Sequence, residues 1–329
     1  MNQQNQKLKI ILKRIKPLTI VLGGGAICAL LLQMVLSASL STAKQSVAGQ
    51  VTNQSASVAG IFPAIVLEAR AAYMLDINSQ QVLFALNENE KLPLASITKL
   101  MTAFVARGAL SESSLLVLTG DDLTAEGDSG LRVSERWRLE DLLNTMLIIS
   151  SNDAAHAVAR FVGANGQLVL AASESTAREN FIQMMNAKAQ SLGLKQMEFY
   201  NESGLDIEGP APRNGGYGSA HDVATLFEVL WNKYPTAVEI TALPAARVIS
   251  QDNITHILPN TDGAIGRFSG LIASKTGYTT LAGGNLAIIF DRGINDPVVA
   301  VVLGSSYKGR FNDMLKLVNA AVSVDTLSR

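Results

Sequence analysis

Cysteine is almost missing from this chain: the single one, Cys28, sits inside an apolar run, so everything after it has no disulfide and depends on a packed core. Histidine occurs three times, as His156, His221 and His256, without metal-ligand spacing. Each is expected to be structural, and neither a metal nor another cofactor is expected. Aromatic residues make up 5% and charged residues 17%, against 48% hydrophobic, which is a globular composition enriched by one apolar segment. Acid is absent from the first 44 residues, which hold Lys7, Lys9, Lys13, Arg14, Lys16 and Lys44. The net charge of -1 therefore hides an acidic body after residue 44, about seven charges negative, which argues against a nucleic-acid partner. Asp121, Asp122, Glu126 and Asp128 lack EF-hand spacing and read as a solvated loop.

What is present at the N-terminus is a basic cluster followed by an uncharged stretch from Leu18 to Leu40. That order marks an export segment with its basic end held in the cytoplasm. Its length fits an uncleaved membrane anchor. Ser37-Ala38-Ser39 and Ser41-Thr42-Ala43 offer the small residues of a cleavage site, in which case the body is secreted or periplasmic. Either way the body is expected outside the cytoplasm, at the extracytoplasmic face of the membrane if the anchor is uncleaved. The organisation that follows is a basic segment (1–17), an anchor or signal (18–40), a Ser/Ala/Gln-rich linker (41–60) and a folded part (61–329).

Within the folded part, strand-like runs at Ala64–Asp76 and Gln81–Leu86 predict one hairpin. Gly284–Phe290 and Pro297–Gly304 predict a second, and Phe311, Met314, Leu315 and Val318 predict a terminal helix. Between these ends the period is helical: Leu139, Leu142, Leu143 and Met146, then 153–162, 177–192 and 220–231. The pattern implies an α/β (α+β) fold with an antiparallel sheet built from both chain ends (61–95 and 236–329) and an inserted helical lobe (96–235).

Three motifs stand in order: Ser96-Ile97-Thr98-Lys99, Ser150-Ser151-Asn152 and Lys275-Thr276-Gly277. Ser-x-x-Lys alone is cheap, since Ser41 with Lys44 and Ser305 with Lys308 also match. As a set the motifs supply a nucleophile, candidate proton carriers and a cation for a carboxylate, which is the inventory of serine acyl transfer without a histidine base. Ser96 opens an amphipathic helix carried by Ile97, Leu100, Met101 and Phe104, where its backbone N–H is free to bind an oxyanion. Lys99 lies one turn along and serves as base only if neutral, and Lys275 is the expected second cation that depresses it. Ser150 is a candidate proton relay and the Asn152 amide a candidate substrate ligand; either residue is also an ordinary helix cap. Gly277 would let a substrate backbone lie against its strand.

With their surroundings these residues resemble the serine D-Ala-D-Ala carboxypeptidases of the low-molecular-mass penicillin-binding group, over roughly residues 61 to 325. The likeness extends to Pro93-Leu94-Ala95, Leu142-Leu143, Asn201-Glu202-Ser203-Gly204-Leu205, Ser219-Ala220-His221-Asp222 and Ser274 with Tyr278-Thr279. It implies a β-lactamase/transpeptidase-like fold and a hydrolase of peptidoglycan biosynthesis, acting on the cell wall and on cell shape. Ser96 would attack the penultimate D-alanine carbonyl of a stem pentapeptide, with Lys99 as base and Ser150 as relay. Asn152, Lys275, Thr276 and Gly277 would bind substrate, and the N–H groups of Ser96 and Tyr278 would hold the oxyanion. β-Lactam antibiotics would be acylating inhibitors. DD-endopeptidase, β-lactamase and a non-catalytic wall-binding domain remain open on the same fold. Three departures stand out: Ser151 replaces a usual glycine, the 250–267 loop matches loosely, and no C-terminal β-rich domain is expected, so that anchoring is expected of the N-terminal segment.

Overall fold

The computed structural model describes residues 65–167 and 173–327. These belong to one compact unit, Asn53–Arg329; the expected basic segment, anchor or signal, and linker lie outside the described residues. Among the described residues no helix is long and apolar enough to cross a membrane.

A five-stranded antiparallel sheet is assembled from the two ends of this unit. Its strands are β1 (Ala71–Asp76), β2 (Val82–Leu86), β3 (Leu271–Thr279), β4 (Gly283–Asp291) and β5 (Pro297–Ser305), in the order β3-β4-β5-β1-β2. The junction is the β1–β5 ladder, running from Ala71 opposite Leu303 to Asp76 opposite Val298. Side chains alternate faces along a strand, and here both faces are covered. Tyr73, Leu75, Ala287, Ile289, Val299 and Val301 enter the core shared with the helices. Met74, Leu286, Ile288, Phe290, Val298 and Val302 enter a second core under the C-terminal helix. Two covered faces explain why Pro297–Ser305 reads as an unbroken apolar run rather than an alternating one.

The inserted segment carries α1 (Lys99–Ala109), α2 (Leu139–Ile148), α3 (Asn152–Gly163), α4 (Glu174–Ser191) and α5 (Ala220–Lys233). The last helix, α6 (Gly309–Leu327), lies on the other face of the sheet through Met314, Leu317 and Val318. A hairpin of Ala245–Ile249 with Thr255–Pro259 follows the helical segment.

The first strand is shorter than the expected 64–76. Glu68 and Ala69 give their backbone N–H groups to the Asp313 carboxylate, at 3.0 and 2.9 Å, rather than to a ladder partner. Asp313 is fully buried and also accepts from the Ser305 hydroxyl at 2.8 Å, so one side chain ties the chain entering the sheet to α6. Asp313→Ala is expected to cost about 3 kcal/mol, because buried donors lose a charged acceptor. Thermal unfolding should show a midpoint roughly 6–10 °C lower.

Candidate active site

The three motifs converge where the edge strand β3 meets α1 and the loop before α3. Ser96 lies in a 3-10 turn, Ala95–Thr98, which feeds into α1, at the helix N-terminus where the sequence pattern places it. The turn begins with Ala95 in a left-handed conformation (φ +49°), and Ser150 on the facing loop is left-handed as well (φ +60°). Non-glycine residues pay for that conformation, and such strain concentrates at functional sites.

Lys99 is fully buried, and its Nζ has three partners: Ser96 Oγ at 3.0 Å, Asn152 Oδ1 at 2.7 Å and the Ser203 carbonyl at 2.7 Å. Two of these partners can only accept, whereas the serine hydroxyl can donate. The set therefore fits a neutral amine that gives two N–H bonds and turns its lone pair to the Ser96 proton. Burial lowers the Lys99 pKa to about 7, against an opposing pull from the Glu202 carboxylate. This corrects the expectation that Lys275 sets the proton affinity of Lys99: desolvation is the larger cause.

Lys275, 1% exposed on β3, donates to Ser150 Oγ at 3.0 Å and to the Thr276 carbonyl at 2.8 Å. Its pKa is held well below the ordinary lysine value by burial first, then by the charges of Lys99 and Arg310. Ser150 thus hydrogen-bonds to Lys275, and it is Asn152 that bonds to Lys99. The Thr276 hydroxyl shares a 2.6 Å hydrogen bond with Thr261. Gly277 is pressed against the nucleophile turn, since a Cβ there would lie 2.8 Å from the Leu94 carbonyl and 3.2 Å from the Ser96 nitrogen. Tyr278 is half exposed at the end of this row and stacks edge-on against Tyr307.

Several supporting residues were not singled out by sequence. Ser203 contributes only its backbone carbonyl, which leaves no side-chain signal. At Gly204 a Cβ would sit 1.9 Å from the Ala95 carbonyl. Asn214 accepts from the Ala95 N–H at 3.2 Å, and Arg310 donates to the Gly277 carbonyl at 2.7 Å. The 201–205 string was visible as part of the resemblance, but nothing in it assigned these tasks.

The histidines have separate protein partners. His156 faces Glu202 at 3.1 Å beside Arg178, His256 bonds to Glu135 at 2.7 Å, and His221 packs against Tyr73. Two hollows flank the motifs. A groove of about 790 Å³ runs past Glu126, Asp206, Glu208, Tyr278 and Thr280, and a cleft of about 300 Å³ opens over Ser150, Asn152, Ile257 and Pro259.

A family model described as D-alanyl-D-alanine carboxypeptidase matches residues 59–307. The chain is 32% identical over 242 residues to D-alanyl-D-alanine carboxypeptidase DacB2 of Mycobacterium tuberculosis, covering 73% of this chain and 77% of that protein. It is 31% identical over 263 residues to D-alanyl-D-alanine carboxypeptidase DacF of Bacillus subtilis, covering 78% of this chain but only 62% of that longer relative. Among solved structures it resembles a D-alanyl-D-alanine carboxypeptidase of M. tuberculosis, with TM-score 0.69, 29% identity, and 81% of this chain and 96% of that one covered. It also resembles penicillin-binding protein D2 of Listeria monocytogenes in a cefotaxime-bound form, with TM-score 0.65, 28% identity, and 79% and 99% covered.

The arrangement around Lys99 predicts a pH profile. Because only the neutral amine can take the Ser96 proton, acylation of Ser96 by a reactive lactam should rise with pH and level off above about 7. Lys99→Arg keeps the charge and supplies no lone pair, so it should abolish the reaction at every pH; stopped-flow acylation rates check both.

Proposed function

Since the chain belongs to the D-alanyl-D-alanine carboxypeptidase family, we propose that it removes the terminal D-alanine from peptidoglycan stem pentapeptides through an acyl-enzyme on Ser96. The observation that carries this reading is the fully buried Lys99 amine 3.0 Å from the Ser96 hydroxyl.

Ser96 Oγ attacks the carbonyl carbon of the penultimate D-alanine as its proton passes to Lys99. The oxyanion is met by the backbone N–H groups of Ser96 and Tyr278. When the tetrahedral intermediate collapses, the C–N bond breaks and the D-alanine amine leaves with a proton. Ser150 fits the relay for that proton, since its hydroxyl opens onto the cleft and joins the Lys275 side of the site. Water then cleaves the ester, which frees Ser96 and the shortened peptide.

Lys275, Thr276 and Gly277 receive the terminal carboxylate and the adjoining backbone on β3, and Asn152 holds the amide on the acyl side. An arriving carboxylate adds its charge to the pull of Asp262 on buried Lys275, so Lys275 becomes a stable cation when substrate is present. Its charge then disfavours a proton on Lys99, the state needed for attack. Glu198 and Glu202, the carboxylates beside Asn201 in the chain, are both engaged: Glu198 with Lys91 at 2.7 Å, and buried Glu202 with Arg178 at 2.9 Å. That favours a long-lived penicilloyl adduct over rapid turnover.

The catalytic body works outside the cytoplasm, tethered through residues 18–40, a reading supported by the basic cluster and the uncharged run that follows it.

Intact mass spectrometry of the full chain with benzylpenicillin tests the assignment. One lasting adduct is expected on the wild type and none on Ser96→Ala, and only the wild type should release D-alanine from a pentapeptide. Rapid loss of the adduct would identify a β-lactamase instead, and no adduct on the wild type would remove the acyl-enzyme reading.

A further inference from the structure

The amide of Asn152 is engaged at both ends. Its Oδ1 accepts from Lys99, and its Nδ2 donates to the backbone carbonyl of Glu126 at 2.7 Å. The two ends of an asparagine amide have nearly the same shape, so only their partners decide which one faces the lysine. The Glu126 carbonyl is therefore the group that keeps the oxygen on Lys99. The Glu126 side chain is exposed, and its residue borders both the 790 Å³ groove and the smaller cleft. The strap that carries it, residues 125–129, lines the smaller cleft with Glu126, Gly127, Asp128 and Ser129.

What holds the strap is Ser129. Its hydroxyl meets Ser151 Oγ at 2.6 Å, while Ser151 Oγ accepts the Ala154 N–H at 3.0 Å as the cap of α3. With an acceptor site of Ser151 given to the cap, its proton is free for Ser129. Asp153, buried one residue beyond Asn152, faces Ser129 and the backbone of Ala125. Residues 151, 152 and 153 thus grip one strap from one turn of chain. Ser151 stands where the resembled family usually has glycine, and a glycine has no hydroxyl to make this clasp.

We propose that Ser129, clasped by Ser151, is a positioning residue: it holds the strap so that the Glu126 carbonyl fixes the Asn152 amide with its oxygen on Lys99 and one N–H proton left for substrate. The proposal rests on the reading of Ser96 as the acylated nucleophile and Asn152 as a substrate ligand. Loss of the clasp lets the strap drift and the amide turn, and turning presents an NH2 group to the lysine in place of an acceptor. The core is untouched, because the strap is largely exposed.

The test measures the rate constant for benzylpenicillin acylation per active site, with final adduct stoichiometry and thermal midpoint, on the full wild-type chain, Ser129→Ala, Ser129→Thr and Ser151→Gly. Ser129→Ala is expected to acylate about three- to thirtyfold more slowly, the worth of the two hydrogen bonds of its hydroxyl to Ser151 and Asp153, with full stoichiometry and an unchanged midpoint. Ser129→Thr keeps the hydroxyl and should restore the rate. Ser151→Gly should slow acylation similarly and also lower the midpoint, because it removes the α3 cap. A Ser129→Ala rate equal to or above the wild type overturns the proposal, as does a slow rate that tracks a lower midpoint and that Ser129→Thr leaves unrestored. An unreactive wild type would overturn the acyl-enzyme reading and this proposal with it, whereas a reactive wild type with an equally reactive Ser129→Ala overturns the positioning role alone.

Discussion

Burial of the Lys99 amine is the constraint on which the rest of this site depends. A lysine in water holds its proton far above neutral pH and cannot act as a base for serine. Here the amine is enclosed by α1, the loop before α3 and the 201–205 segment, and is offered two oxygens that can only accept. Desolvation removes the advantage of charge, and the geometry of the partners suits an amine with one lone pair to spare. Glu202 opposes this from below, but its carboxylate is itself engaged by Arg178 and His156. The fold thus applies a large desolvating effect and restrains the nearest negative charge.

Enclosing an amine in this way requires backbones to approach more closely than side chains allow. The nucleophile turn lies between β3 and the 201–216 segment, with Gly277 on one side and Gly204 on the other. Polar side chains then fasten the approach: Asn214 to the Ala95 N–H and to the Gly204 carbonyl, and Asn285 to the Pro93 carbonyl. Arg310, from α6 on the far face of the sheet, reaches the carbonyl of Gly277. A helix outside the site therefore helps hold the strand that lines it.

Much of this was legible in sequence because it is local. Apolar runs located both hairpins, and helical spacing located α2 to α6 to within a few residues. The three motifs were legible because each is a contiguous string with an uncommon combination of side chains. What escaped has a common physical character. The Ser203 contribution is a backbone carbonyl, Arg310 acts across more than thirty residues of chain, and the shortened first strand follows from one buried aspartate 244 residues away. The cause of the low Lys99 proton affinity was misread for the same reason. Sequence offers named charges such as Lys275, whereas desolvation is a property of the assembled surroundings and belongs to no single residue.

The two buried lysines are best understood together. Two ammonium groups within one low-dielectric cleft repel one another, and each is penalised separately by loss of water. The doubly protonated state is therefore disfavoured, and Lys275 is held well below its ordinary value by burial first and then by the charges of Lys99 and Arg310. A carboxylate against Lys275 favours the proton there, because it supplies a counter-ion to one lysine and not the other. On this argument the ligand that carries the terminal carboxylate also selects the protonation state that attacks it. A neutral ester lacking that carboxylate can occupy the same trough and still leave Lys275 without that counter-ion.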